Sequence, residues 1–193
     1  KMARALPSTE STVAFGASSA IPGLAEVGLD GSSGLDPFAM LAAIEKYSAT
    51  SIVTVPQTLA GLLLAIGRAG RRPSALRLVS VGGAPLAPSI LAQAEILGVP
   101  IYQGYGLSEL SSVVAFNGPG CNRPGSVGRC LPHAELRFAS DGEILVQGAV
   151  FEGYLGETPT DRTAIDDGGL PTGDLGHLDA DCYLYLDGRK KNM

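Results

Sequence analysis

Between Ser51 and Tyr102 the chain alternates β-prone runs with helical ones, and few folds accept that order. Ser51-Ile52-Val53-Thr54-Val55 is β-branched and closed by Pro56. A leucine-rich pattern follows from about Gln57 to Ile66 and predicts a helix that stops at Gly67. Leu76 to Val81 reads as a buried strand leaving into Gly82-Gly83-Ala84-Pro85. A helix is predicted over roughly Pro88 to Leu97, ended by Gly98, and Val99-Pro100-Ile101-Tyr102 is again β-prone. Strand, helix, strand, helix, strand is the pattern of an α/β parallel sheet with helical crossovers. Upstream, Asp36-Pro37 supplies an N-cap and a first-turn proline for a helix whose apolar face is expected to be Phe38, Leu41, Ala42 and Ile44. With 45% hydrophobic residues in 193, the chain can bury a core of this kind.

In such sheets ligands bind beyond the carboxyl ends of the strands. Two glycine turns fall there, at Gly82-Gly83 and at Gly104 to Gly106, so both are expected to face one crevice. The second lies in Tyr102-Gln103-Gly104-Tyr105-Gly106-Leu107-Ser108-Glu109. Its glycines would let the backbone turn with positive φ and present N–H groups to an anion. Tyr105 offers a flat face for a purine, Ser108 a hydroxyl for a phosphate oxygen, and Glu109 a hard oxygen ligand for Mg²⁺. Taken alone, the same residues read equally as a tight turn whose serine and glutamate open a helix. Gly31-Ser32-Ser33-Gly34 lacks the lysine of a phosphate loop and reads as a flexible turn.

After Phe116 the texture changes. Asn117-Gly118-Pro119-Gly120 and Asn122-Arg123-Pro124-Gly125 break the chain. Short strands are predicted at 135–138 and 143–147, joined by a hairpin at Ser140-Asp141-Gly142, and a last one at 182–186. A short helix and loop is expected over 161–169. This half reads as a small antiparallel sheet or barrel. The net charge of −5 supplies no basic field, which argues against nucleic acid as a partner. No apolar run is long enough for a transmembrane segment. Three cysteines without Cys-x-x-Cys spacing, with only His133 and His177, indicate neither a disulfide framework nor a zinc site. A reducing, cytoplasmic setting is expected, with peripheral membrane contact left open. The N-terminus, 1–12, is weakly patterned and carries no signal-peptide core. Oligomeric state is not readable.

Several stretches, in order, resemble motifs of the adenylate-forming superfamily, which comprises AMP-forming acyl- and aryl-CoA synthetases, adenylation domains and luciferases. They are Val81 to Pro85, Gly104-Tyr105-Gly106-Leu107-Ser108-Glu109, Asn122 to Arg129, Gly142 to Val146 with Gly153-Tyr154-Leu155, Thr172-Gly173-Asp174, and Gly188-Arg189-Lys190-Lys191-Asn192-Met193. The phrasing is most similar to bacterial fatty-acyl-CoA synthetases. The resemblance implies an α/β nucleotide-binding subdomain over 1–116, a β-rich subdomain over 117–186, and the start of a hinge over 187–193. It implies that Gly83, Ala84 and Pro85 line the adenine pocket beside Gly104 and Gly106. Gln103 would bond the adenine amino group, and Tyr105 would stack on the ring. Ser108 would meet the α-phosphate, Glu109 hold Mg²⁺, and Asp174 and Arg189 contact the ribose. Lys191 resembles the hinge residue.

The implied parent enzyme joins a carboxylic acid, expected to be fatty, to ATP. It gives acyl-AMP and pyrophosphate, then transfers the acyl group to coenzyme A with release of AMP. The acyl pocket is expected near Val55 to Leu63, Gly82 and Ser111 to Val114. The family's phosphate loop ending in lysine and its C-terminal catalytic lysine have no counterpart in this sequence, so the chain is expected to be the middle of a larger enzyme and silent alone. Cys182 and His133 stand where glycine is common and are read as packing or surface residues. Two other readings stay open: an enzyme loading an aryl or amino acid onto a carrier protein, and a non-catalytic nucleotide-binding module.

Overall fold

The structure, a computed structural model, describes residues 18–30, 34–148, 150–151 and 168–190. Residues 1–17, Gly31 to Ser33, Gly153-Tyr154-Leu155, most of the predicted 161–169 helix, and Lys191 lie outside the described residues. A 3₁₀ turn at Leu24–Val27 precedes a two-stranded ribbon, β1 (Leu29–Asp30) and β2 (Gly34–Leu35). Helix α1 (Pro37–Lys46) starts where the sequence predicts, because Asp36 Oδ1 accepts from the amides of Phe38 and Ala39 at 2.9 and 3.2 Å. Its buried face is Leu41, Ala43 and Ile44 rather than the expected set. Phe38 is 45% exposed and Ala42 also points to solvent, a rotation of the apolar stripe by about one residue.

Strands β3 (Ser51–Thr54), β4 (Leu78–Val81) and β5 (Ile101–Tyr105) are parallel, linked by α2 (Pro56–Ala69) and α3 (Pro88–Ile96). Leu59, Leu62, Leu63 and Ile66 recur at helical spacing on α2 and are essentially fully buried, forming the centre of a first core with Leu76, Val79 and Val81. The helix runs through Gly67 and ends at Gly70, whose left-handed φ of 67° closes it. The stop expected at Gly67 is therefore corrected by one turn. Strand β5 likewise runs past Tyr102 to include Gln103, Gly104 and Tyr105.

The parallel strands belong to a mixed five-stranded sheet, because β6 (Ala115–Phe116) and β7 (Arg129–Cys130) add antiparallel beyond β5. This sheet thus draws on residues either side of the texture change at Phe116. A second, antiparallel sheet has the order β11-β10-β9-β8, from β8 (Ala134–Phe138), β9 (Glu143–Gly148), β10 (Leu170–Leu178) and β11 (Leu184–Arg189). The β8–β9 hairpin turns at Asp141-Gly142 with Gly142 at φ 84°, as its residues dictate. Thr172 to Gly176 lie inside β10. Asp187 to Arg189 lie inside β11, so these residues are strand. The predicted strand at 182–186 is shifted because Cys182 turns at φ 63°, the left-handed conformation that glycine adopts readily.

The two sheets meet along 127–129 and 183–184. Val127 donates to the Leu184 carbonyl and Leu184 to the Gly128 carbonyl, both at 2.8 Å. Beside this seam the Tyr183 ring lies between the guanidiniums of Arg123 and Arg129, 4.4 and 4.6 Å from its centre. Arg123 also pairs with Asp179 and Asp181.

Candidate adenylate site

Parallel pairing of Val81 with Gln103 brings the ends of β4 and β5 level. Gly82-Gly83 and Gly104 to Gly106 therefore lie side by side, a Cβ built on Gly82 falling 3.5 Å from the Gly104 carbonyl oxygen. Gly83, Ala84 and Pro85 are exposed beyond the strand end, with Val55 packed beneath Gly83. The two glycine turns expected to share a crevice thus adjoin at the carboxyl edge of the sheet. Gln103, half-buried, follows Tyr102 in β5, and its carbonyl accepts from the Asn117 amide at 2.9 Å.

The reason for the second pair of glycines differs from the expected one. Neither Gly104 nor Gly106 has positive φ. A Cβ on Gly104 would come within 2.8 Å of the Phe116 ring, and one on Gly106 within 1.5 Å of the Ser112 carbonyl oxygen. These glycines admit close approach of another segment, rather than curling their own amides around an anion. That segment carries two serines, Ser111 and Ser112, at left-handed φ of 56° and 87°. Sequence spacing alone marks neither.

Tyr105, Asp174 and Arg189, three candidate nucleotide-binding residues, are brought into one chain of bonds. Tyr105 packs into the second core with Val114, Ile144 and Leu184 and is only 8% exposed. Its hydroxyl donates to Asp174 Oδ2 at 2.8 Å. The other carboxylate oxygen, Oδ1, pairs with Arg189 Nε at 2.7 Å. Asp174 and Arg189 face each other across β10 and β11, and their side chains are 10% and 60% exposed. The pair is thus a buried carboxylate beneath a solvent-facing cation. Burial pushes the Tyr105 phenol well above its ordinary range, and the bond to Asp174 adds to the rise. So buried a ring leaves little face open for a purine, which departs from the expectation of a free stacking surface.

Ser108 and Glu109 occupy a single 3₁₀ turn, Ser108–Leu110, anchored by buried Leu110. The longer helix that these residues could have opened does not form. Ser108 is exposed; Glu109 is half-buried, and its carbonyl accepts from the Phe151 amide at 2.8 Å. No group of three or more His, Cys, Asp or Glu that could hold a metal occurs among the described residues. Mg²⁺ needs no such cluster, since it keeps its waters and binds through one or two carboxylates plus a substrate's phosphates.

Glu143, Thr172 and Lys190 fall in stretches that the sequence reading singled out, but it gave none of the three a role. Glu143 accepts from the Gly173 amide at 3.0 Å and from Lys190 Nζ at 2.7 Å. Lys190 also pairs with Asp141 at 2.6 Å, which holds the Asp141 carboxyl below its usual range and raises the ammonium. Thr172 Oγ1 donates to the Ile144 carbonyl and accepts from the Asp174 amide. The glycine-glutamate pair ahead of a β-branched run, Gly142-Glu143-Ile144, was the available signal. Of the residues expected near the acyl pocket, Leu59, Leu62 and Leu63 are fully buried in the first core. Val55 and Thr58, from the same expected stretch, line an open groove of about 990 Å³ along β3 with Met40, Ile44, Ile52 and Val53. No described helix is long and apolar enough to cross a membrane.

The sequence model of the family described as AMP-binding enzyme matches residues 16–155. The chain belongs to this AMP-binding family. It is 33% identical over 171 residues to indoleacetate–CoA ligase of Aromatoleum aromaticum, covering 82% of this chain and 34% of that one. A long-chain-fatty-acid–CoA ligase of Mycobacterium tuberculosis is 42% identical over 113 residues, 58% of this chain and 19% of its own length. Among solved members, O-succinylbenzoate coenzyme A synthetase from Bacillus subtilis, in complex with ATP and magnesium ion, superposes with a TM-score of 0.70 at 29% identity, covering 82% of this chain and 35% of its own. Anthranilate CoA ligase in complex with anthranoyl-AMP gives 0.74 at 25% identity, over 92% and 35%. The chain spans between about a fifth and a third of the length of the curated relatives it matches.

Proposed function

We propose that this chain supplies the adenylate-binding part of an AMP-forming acid–thiol ligase. The observation that carries the reading is the Tyr105–Asp174–Arg189 chain beside the paired glycine turns. An ionised carboxylate has about four acceptor positions. Tyr105 and Arg189 take one on each oxygen of Asp174, leaving a position on each for the two vicinal hydroxyls of a ribose. Gly83, Ala84 and Pro85 form the exposed wall for the adenine, with Gln103 its polar partner. Ser108 donates to the α-phosphate, and Glu109 would hold Mg²⁺. That ion, when bound, neutralises triphosphate charge.

In the reaction proposed for the whole enzyme, a carboxylate oxygen attacks the α-phosphorus in line and pyrophosphate departs. A thiolate, that of coenzyme A, then attacks the acyl carbon and AMP leaves with the bonding pair. The residues of this chain position and polarise; none becomes covalently modified. The acid is proposed to be fatty, and an aryl acid is the second reading. It is favoured by likeness to the indoleacetate ligase over a longer stretch than to the fatty-acid ligase. Pyrophosphate exchange by the full-length enzyme with a C12 fatty acid and with indoleacetate separates the two.

Calorimetric titration of the chain with AMP tests the site. Saturable binding is expected, weakened about tenfold or more by Asp174→Ala as the ribose hydroxyls lose their acceptor. Equal binding by both proteins would sink the assignment of Asp174.

A further inference from the structure

Asp174 is aimed by an irregularity in its strand. Between Pro171 and Leu175 strand β10 advances four positions while β9 advances two, from Leu145 to Glu143. The excess bulges at 172–174, with Gly173 at φ 72°, and takes the amides of Gly173 and Asp174 out of the β9 ladder. Side chains replace the lost partners. Thr172 Oγ1 accepts from the Asp174 amide at 3.1 Å, and Glu143 Oε1 from the Gly173 amide at 3.0 Å. The other oxygen of Glu143, Oε2, accepts from Lys190 Nζ at 2.7 Å. Glu143 is 12% exposed at its side chain, so its carboxylate is largely shielded from water, whereas Lys190 is 47% exposed.

The placement is specific. Gly173 precedes Asp174, and Lys190 follows Arg189. One carboxylate therefore holds the neighbour of each member of the Asp174–Arg189 pair, one on each oxygen. We propose that Glu143 is a positioning residue for the adenylate site, fixing the Asp174 carboxylate and the Arg189 guanidinium at the separation that reads a ribose. This rests on the assignment of Asp174 given above. Glu143 touches no nucleotide. It removes freedom that the bulge would otherwise have, and Lys190, held also by Asp141, closes the clamp from the surface.

The test compares AMP with 2′,3′-dideoxy-AMP, which lacks the hydroxyls that Asp174 would accept, by calorimetry on this chain. The wild type is expected to prefer AMP by about tenfold or more, and Asp174→Ala to lose the preference. In Lys190→Met, which removes only an exposed cation, the preference falls by about threefold or more because AMP weakens while dideoxy-AMP does not. Glu143→Ala loses more of it and also speeds hydrogen exchange at the Gly173 amide. Should Glu143→Ala fail to fold, Lys190→Met and Glu143→Gln carry the comparison. Equal weakening of both nucleotides, or an unchanged preference, in variants of a discriminating wild type overturns the role of Glu143 alone. A wild type that binds neither nucleotide, or both equally, overturns the reading of Asp174 and the clamp with it.

Discussion

Tyr105 shows how one residue can serve packing and polarity at once. Its ring fills the second core and its hydroxyl ends on Asp174. Replacement by Phe keeps the ring and strips one donor from a buried carboxylate, at an expected cost of about 1–3 kcal/mol in chemical denaturation at neutral pH. The pH dependence follows from the raised phenol. Its stabilisation is complete below the ordinary tyrosine value of 10.0 and is lost as pH rises above it, because the unfolded phenol ionises while the folded one stays neutral. The stability gap between wild type and Tyr105→Phe should therefore shrink from pH 9 to pH 11, and a gap that widens would exclude this sign. The 69-residue separation of Tyr105 from Asp174 explains why their bond was illegible in the sequence. Local pattern carries no information about which distant carboxylate a phenol will meet. Glu143 was hidden for a related reason: it precedes Ile144 at a hairpin, where a glutamate usually faces water.

The elements were legible wherever their ends are written in local chemistry. Asp36-Pro37, Gly98 and Asp141-Gly142 each set a boundary that the structure keeps. Asp36→Ala should cost about 1 kcal/mol through the lost cap, read as a lower thermal midpoint, with α1 amides near Phe38 exchanging faster than those of α2. Interior glycine misled the reading, because Gly67 sits within α2 without disrupting it and the true stop is Gly70. Strands β6 and β7 escaped notice because two residues make no periodicity. They exist through pairing with each other and with β5, a tertiary fact. Cys182 is the reverse case: the resemblance leads one to expect glycine there, and the left-handed φ of 63° is the conformation glycine adopts readily.

At the scale of the molecule, the nucleotide reading depends on two sheets holding their relation, since Tyr105 comes from one and Asp174 from the other. The seam at 127–129 with 183–184 does this by backbone bonds, and the Tyr183 ring between Arg123 and Arg129 guards it. Arg123→Ala removes one stacked cation and both of its aspartate partners. Faster amide exchange is expected at Val127 and Leu184 with α2 unchanged; a uniform change across the molecule would argue against a local latch. The α/β class and the adjacency of the two glycine turns were legible because strand-helix alternation leaves few topologies. The seam was not, since it joins residues more than fifty positions apart at the starts of two different strands, β7 and β11. One further consequence concerns light. The chain has six tyrosines and no tryptophan, so its ultraviolet emission comes from phenols alone. A phenol bonded to a carboxylate surrenders its excited-state proton and glows weakly. Tyr105, bonded to Asp174, is therefore expected to emit weakly, and a nucleotide that draws on that carboxylate should change the chain's own tyrosine emission, read with no dye attached.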